Sequence, residues 1–206
     1  MINPQLTEFA KHDLTQLAVF LNDSDAKTQA QAIDEAIQVN SLLADAAVYA
    51  LQNGQDRYFV AERLPNFGSI IMEPLQALLK ESADAEVKVL ASLVLLRLGS
   101  KAGVPDLLQA VLTEPVDRYA ALIVDRLAAC GISETGEAVI NRLRQLSLKE
   151  IDFGKSFESN ANKDFVVSAL HAMQTLNFPL PQDLLNHLTA PGLPIEITSI
   201  FSSGRK

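Results

Sequence analysis

The chain has no tryptophan, a single cysteine and only 6% aromatic residues. With Cys130 alone, no internal disulfide can form. Nine glycines and nine prolines across 206 residues leave little of the turn chemistry that an all-β fold consumes. Long apolar runs are missing as well. The longest, Val89 to Leu96, lies between Lys88 and Arg97, far short of the roughly 20 residues that cross a bilayer. The opening MINPQLTEFAKHDL has neither a basic leader nor a continuous apolar stretch, so it does not read as a secretory signal. A cytoplasmic protein without membrane insertion is expected.

Positive charge is the other shortage. Lys and Arg number 17 against 25 Asp and Glu, for a net charge of −8. Residues 1–54 are the most lopsided: Glu8, Asp13, Asp23, Asp25, Asp34, Glu35 and Asp45 oppose only Lys11 and Lys27. Such a chain is poorly suited to phosphate backbones, so no nucleic-acid partner is expected.

The motifs that carry chemistry are also absent or fragmentary. Gly154-Lys155-Ser156 lacks the upstream glycine of a phosphate loop, with Lys149 in its place, and lacks a preceding strand. Asp152-Phe153-Gly154 has no companion glycine-rich or catalytic loop. His12, His171 and His187 make too few ligands for a metal site, although His171 and His187 sit on neighbouring expected helices. Cys130 takes an apolar helical position beside Gly131 and reads as a small buried residue. Asn22-Asp23-Ser24 reads as a helix cap. No catalytic residue, metal or cofactor is indicated.

Alanine and leucine dominate, and they are arranged at helical spacing. Asp84 is placed to cap a helix through Val87, Leu90, Ala91, Val94, Leu95 and Leu98, which Gly99 ends in a left-handed conformation. Pro105 opens a second helix with Leu107, Leu108, Val111 and Leu112. A shift of 32 residues repeats the pattern: Leu95 falls on Leu127, Gly99 on Gly131, Leu107 on Val139 and Val111 on Leu143. Looser copies flank these units, one with a turn at Pro65–Gly68, the other with Asn177 where the glycine stood. Residues 4–21, 25–39 and 41–52 read as three more helices. Because residues 84–98 are apolar nearly all round, they suit a helix covered on several sides. A recurrence of this length marks a helical solenoid. An ordinary helical bundle, or a mixed α/β fold, is the alternative.

DAEVKVLASLVLLRLGSKAGVPDLLQAVL resembles a HEAT-like repeat, and VDRYAALIVDRLAACGISETGEAVINRLRQL resembles the next, with Gly136-Glu137 where a Pro-Asp pair is expected. The clear resemblance covers residues 84–146. It implies an all-α fold: a right-handed α-solenoid of helical hairpins with an irregular N-terminal helical cap. Residues 1–54 would form that cap and 55–190 the array, with units 84–114 and 115–147 and a loop insertion at 148–163. Residues 191–206 would be a tail, with Ile195, Ile197, Ile200 and Phe201 covering the last core face.

In HEAT-like hairpins the second helix usually lines the concave side. The faces of these helices opposite their leucines carry Glu73, Gln76, Lys80, Asp106, Gln109, Thr113, Glu134, Glu137, Asn141, Gln145, Asp183 and Asn186. Five of these are acids and one is lysine. The expected function is a non-enzymatic scaffold presenting this acidic strip to another protein of basic or mixed charge. The repeats are also similar to those of the phycobilin lyase-type HEAT-like family. That resemblance implies an alternative, binding of an open-chain tetrapyrrole, with Asp106 or Glu137 facing pyrrole N–H groups and Arg142 or Arg144 facing propionates. A DNA glycosylase, which some HEAT-like proteins are, would need a basic groove and aromatic residues that this chain lacks.

Overall fold

The computed structural model describes residues 15–22, 24–113, 119–146, 161–189, 197 and 200. All regular structure among them is helical. Residues 15–21 form a short helix. There follow α1 (Ala26–Asn53), α2 (Arg57–Arg63), a 3-10 helix (Leu64–Ile71), α3 (Met72–Glu81) and α4 (Ala85–Arg97). The remainder are α5 (Val104–Leu112), α6 (Ala120–Ala129), α7 (Thr135–Gln145), α8 (Ala161–Thr175) and α9 (Gln182–Leu188).

Local sequence explains where these helices start and stop. The Asp84 carboxylate accepts hydrogen bonds from the backbone N–H of Glu86 at 2.9 Å and Val87 at 3.3 Å, satisfying two donors of the first turn of α4. At the other end Gly99 has φ +85°, and Ser100 N–H reaches back to the Leu95 carbonyl at 2.9 Å. The same closure ends α6, with Gly131 at φ +67° and Ile132 N–H bonded to Leu127 O at 3.0 Å. It ends α8 too, with Asn177 at φ +51° and Phe178 N–H bonded to Met173 O at 2.9 Å. These are three copies of one left-handed cap, and the third uses asparagine, which takes this position when glycine does not.

Helix α4 answers the expectation for residues 84–98. Val87, Val89, Leu90, Ala91, Ser92, Val94, Leu95 and Leu96 are all buried, on every side of the helix. It packs against α1, α2, the 3-10 helix, α3, α5 and α6. Successive contacts link α2 to α4, α4 to α6 and α6 to α8, while α5 touches both α4 and α6 and also packs on α7. One apolar cluster runs from Val48 and Leu51 in α1 through Leu90, Leu107, Ile123 and Leu143 to Leu170 and Leu188. Ile197 and Ile200 from the tail join it, as expected, and Gln174 Nε2 donates to the Ile200 carbonyl at 3.3 Å. Ile195 and Phe201 lie outside the described residues.

Several boundaries differ from the sequence reading. Residues 25–39 and 41–52 are not two helices but one, because Asn40-Ser41 contains neither glycine nor proline and costs a helix only tenths of a kcal/mol per residue. Pro65–Gly68 lies within a 3-10 helix rather than a simple turn, broken at Gly68 with φ +66°. The cap of α1 is Asp25, not the Asn22–Ser24 stretch. Cys130 is exposed, not buried: α6 ends at Ala129, and Cys130 already belongs to the turn into Gly131. Helix α8 begins at Ala161, inside the stretch expected to be a loop. The rest of that loop, including Asp152–Ser156, lies outside the described residues, as do most of the 4–21 helix and His12.

Candidate binding surface

The polar residues singled out on the second helices stand where the sequence pattern puts them, at the surface. Glu73, Lys80, Gln109, Glu134, Glu137, Asn141, Gln145, Asp183 and Asn186 are exposed, and Gln76, Asp106 and Thr113 are half-buried. Four of the acids share a position that the sequence reading did not recognise. Glu73 lies in the first turn of α3, Asp106 of α5, Glu137 of α7 and Asp183 of α9. A carboxylate there faces the positive end of the helix, an arrangement that favours the helix. Glu134 is the N-cap residue of α7, although its side chain makes no capping bond.

Partners distinguish these acids. Asp183 accepts from Arg144 Nε at 3.3 Å, and that bond holds its carboxyl below the ordinary carboxylate range. Glu134 is also lowered, first by a backbone hydrogen bond and then by the Ser133 hydroxyl at 3.1 Å. Glu73, Asp106 and Glu137 make no side-chain hydrogen bond or ion pair among the described residues, and neither do Lys80 and Asn141. Thr113 Oγ1 donates back to the Gln109 carbonyl at 3.3 Å. Gln145 lies 3.5 Å from Arg142 Nη1.

Arg142 itself departs from the sequence reading. It is only 4% exposed and stands one repeat after the buried Ala110. Arg144, by contrast, is exposed, and its Nε donates to Asp183 Oδ2 at 3.3 Å.

A second polar cluster went unrecognised in the sequence. Arg57, at the start of α2, donates to Asp84 at 2.7 Å, to Glu86 at 3.3 Å and to the Gln52 carbonyl at 3.0 Å. Glu86 also accepts from the Tyr119 hydroxyl at 2.7 Å, and the Tyr119 ring stacks on Tyr58 with centroids 6.1 Å apart. Arg57, Tyr58, Glu86 and Tyr119, together with Gly54 to Asp56, line a recess of about 290 Å³. The cluster ties the starts of α2, α4 and α6 together. The separations of Arg57 from Glu86 and of Glu86 from Tyr119, 29 and 33 residues, are each close to one repeat, which is the signal that could have revealed it.

His171 and His187 are both exposed, and no group of three or more His, Cys, Asp or Glu able to hold a metal occurs among the described residues. No helix among them is long and apolar enough to cross a membrane. No family model, curated protein or solved structure gives a significant match to the chain.

Proposed function

We propose that the protein is a non-enzymatic, HEAT-like helical-repeat scaffold. The second helices α3, α5, α7 and α9 would line a concave, acidic surface that receives a partner protein of basic or mixed charge. The observation that carries the reading is the recurrence of a first-turn acid on each of these helices, three of them without a partner among the described residues. The packing of α4, covered on several sides, also fits the middle of a stacked array. Unpaired carboxylates in a row favour encounter with a cationic face and set its register more than they add affinity.

The test is affinity capture from native extract with wild type and with an Asp106→Lys, Glu134→Lys, Glu137→Lys variant. One protein retained by wild type, released by moderate salt and lost with the variant is the expected result. Equal retention by both would move the contact away from this surface. A coloured eluate in place of a protein would replace the scaffold reading with a tetrapyrrole-binding one.

A further inference from the structure

Two hollows on α2, α4 and α6 share a wall. One is the polar recess beside Arg57, and Tyr58 lines it. The other is an apolar crevice that Tyr58 also lines, together with Leu90, Leu93 and Val94 of α4 and Leu122 of α6. Arg97 and Arg126 stand on the wall of this crevice as well. The helical period puts the two hollows in order. Glu86, Leu90, Leu93, Val94 and Arg97 fall at i, i+4, i+7, i+8 and i+11, so they form one face of α4. That face runs from acid through aliphatic to cation. Tyr119, Leu122 and Arg126 fall at i, i+3 and i+7 and repeat the order along α6. The Glu86–Tyr119 bond joins the starts of the two helices, and the crevice brings Arg97 and Arg126 together near their ends.

The two ends of this track differ in charge. In the recess, Asp56 and Glu86 face a single Arg57. At the crevice, Arg97 has one ion pair among the described residues, with Glu62 at 3.6 Å, which is too long for a hydrogen bond. Arg126 is exposed and makes no side-chain hydrogen bond or ion pair among the described residues. The enclosed space of the crevice is about 30 Å³, far below the roughly 300 Å³ at which small-molecule pockets begin. It admits the end of one side chain rather than a whole ligand. From Glu86 to Arg97 the rise along α4 is about 16 Å. An extended chain covers that distance with about five residues, and alternate side chains point to the same side.

We propose that the face shared by α2, α4 and α6 binds an extended segment of a partner protein, with a basic, an aliphatic and an acidic residue at alternate positions. The basic side chain enters the recess against Asp56 and Glu86 and lies by the Tyr58 ring. The aliphatic one fills the crevice over Leu90 and Val94 as the anchor. The carboxylate sits between Arg97 and Arg126, and the opposite charges at the two ends fix the direction of the segment. This site is separate from the polar surface of α3, α5, α7 and α9 and does not depend on it.

Peptide titration followed by backbone amide NMR tests the proposal. The probes are acetyl-Lys-Ala-Leu-Ala-Glu-amide and the reverse sequence, acetyl-Glu-Ala-Leu-Ala-Lys-amide. One of the two should give saturable shifts in α2, α4 and α6, with none in α3, α5 and α7. Arg126→Glu, at an exposed side chain, should raise its Kd about tenfold. A peptide with lysine in place of glutamate should bind this variant better than it binds wild type. Asp56→Asn, which keeps a capping side chain, should weaken the original peptide about threefold. No saturable shift with either peptide would overturn the proposal. So would shifts centred on α5 and α7, or binding that Arg126→Glu leaves unchanged.

Discussion

Gly136 packs so closely against the ring of Phe178 that a β-carbon at position 136 would lie 2.5 Å from the ring Cγ and 2.8 Å from Cδ1. Gly136 is the second residue of α7, the place that Pro105 takes in α5. Phe178 follows Asn177, whose left-handed conformation ends α8 and turns the chain toward α9. A proline at position 136 would place its ring in the space of Phe178.

Gly136→Ala should therefore destabilise the protein by about 1–3 kcal/mol through overpacking. In a Phe178→Ala background the same change should become neutral or favourable by about 0.5–1 kcal/mol, because alanine suits a helix better than glycine. Urea denaturation of the four proteins in a double-mutant cycle checks this. Equal cost in both backgrounds would remove the ring as the cause.

Gly99 and Gly103 should respond to alanine for different reasons. A β-carbon at Gly99 meets nothing within 4 Å, so Gly99→Ala carries only the left-handed backbone cost of roughly 1–2 kcal/mol. At Gly103 it would lie 2.7 Å from Ser92 Cα, a backbone atom that cannot step aside. Gly103→Ala should cost about 3 kcal/mol, and Gly99→Asn should cost less than Gly99→Ala, because asparagine enters the left-handed region more readily. Thermal midpoints of the variants rank these effects.

Arg57→Ala should destabilise by about 1–2 kcal/mol, since it removes charge-assisted bonds to both Asp84 and Glu86. Tyr119→Phe should cost less, about 1 kcal/mol, because the stacking on Tyr58 survives while the bond to Glu86 is lost. Amide exchange at the start of α4 should quicken in both. Protection unchanged by Arg57→Ala would show that the cluster does not hold these helix ends together.

The cap of α1 should be sensitive to acid. The Thr28 hydroxyl, at 2.8 Å, and then the Thr28 N–H hold the Asp25 carboxyl below its ordinary value of 3.8. A folded-state value below the unfolded one means that the cap's contribution is full above about pH 4 and is lost as pH falls through the lower, folded value. The first turn of α1 should then exchange its amides faster, relative to the rest of the helix, only at the acid end. Asp25→Asn keeps a capping side chain without the titration and should abolish that extra pH dependence.

Much of the fold was legible because its signals are local. Asp84 bonds within three residues, and Gly99, Gly131 and Asn177 each solve a single backbone problem at a helix end. The acids of α3, α5 and α7 were legible as surface residues for the same reason, since helical period alone turns them away from the leucines. The 32-residue recurrence also predicted which aliphatic positions match in burial: Leu107 with Val139, and Val111 with Leu143.

Cys130 and Asn40-Ser41 show where that reading failed. Period alone placed Cys130 inside, but the helix ended one residue too soon; Asn40-Ser41 looked like a break, but packing of Ala44, Val48 and Leu51 on the far side carried the helix through. The sequence by itself determined helix positions, caps and polar faces, because these depend on residues within a turn of each other. Only the tertiary structure decided that Gly136 makes room for Phe178, that Arg57 gathers Asp84 and Glu86, and that Arg142 is buried where Ala110 stood. Those outcomes depend on which side chains from separate repeats compete for one space, and no local period encodes that.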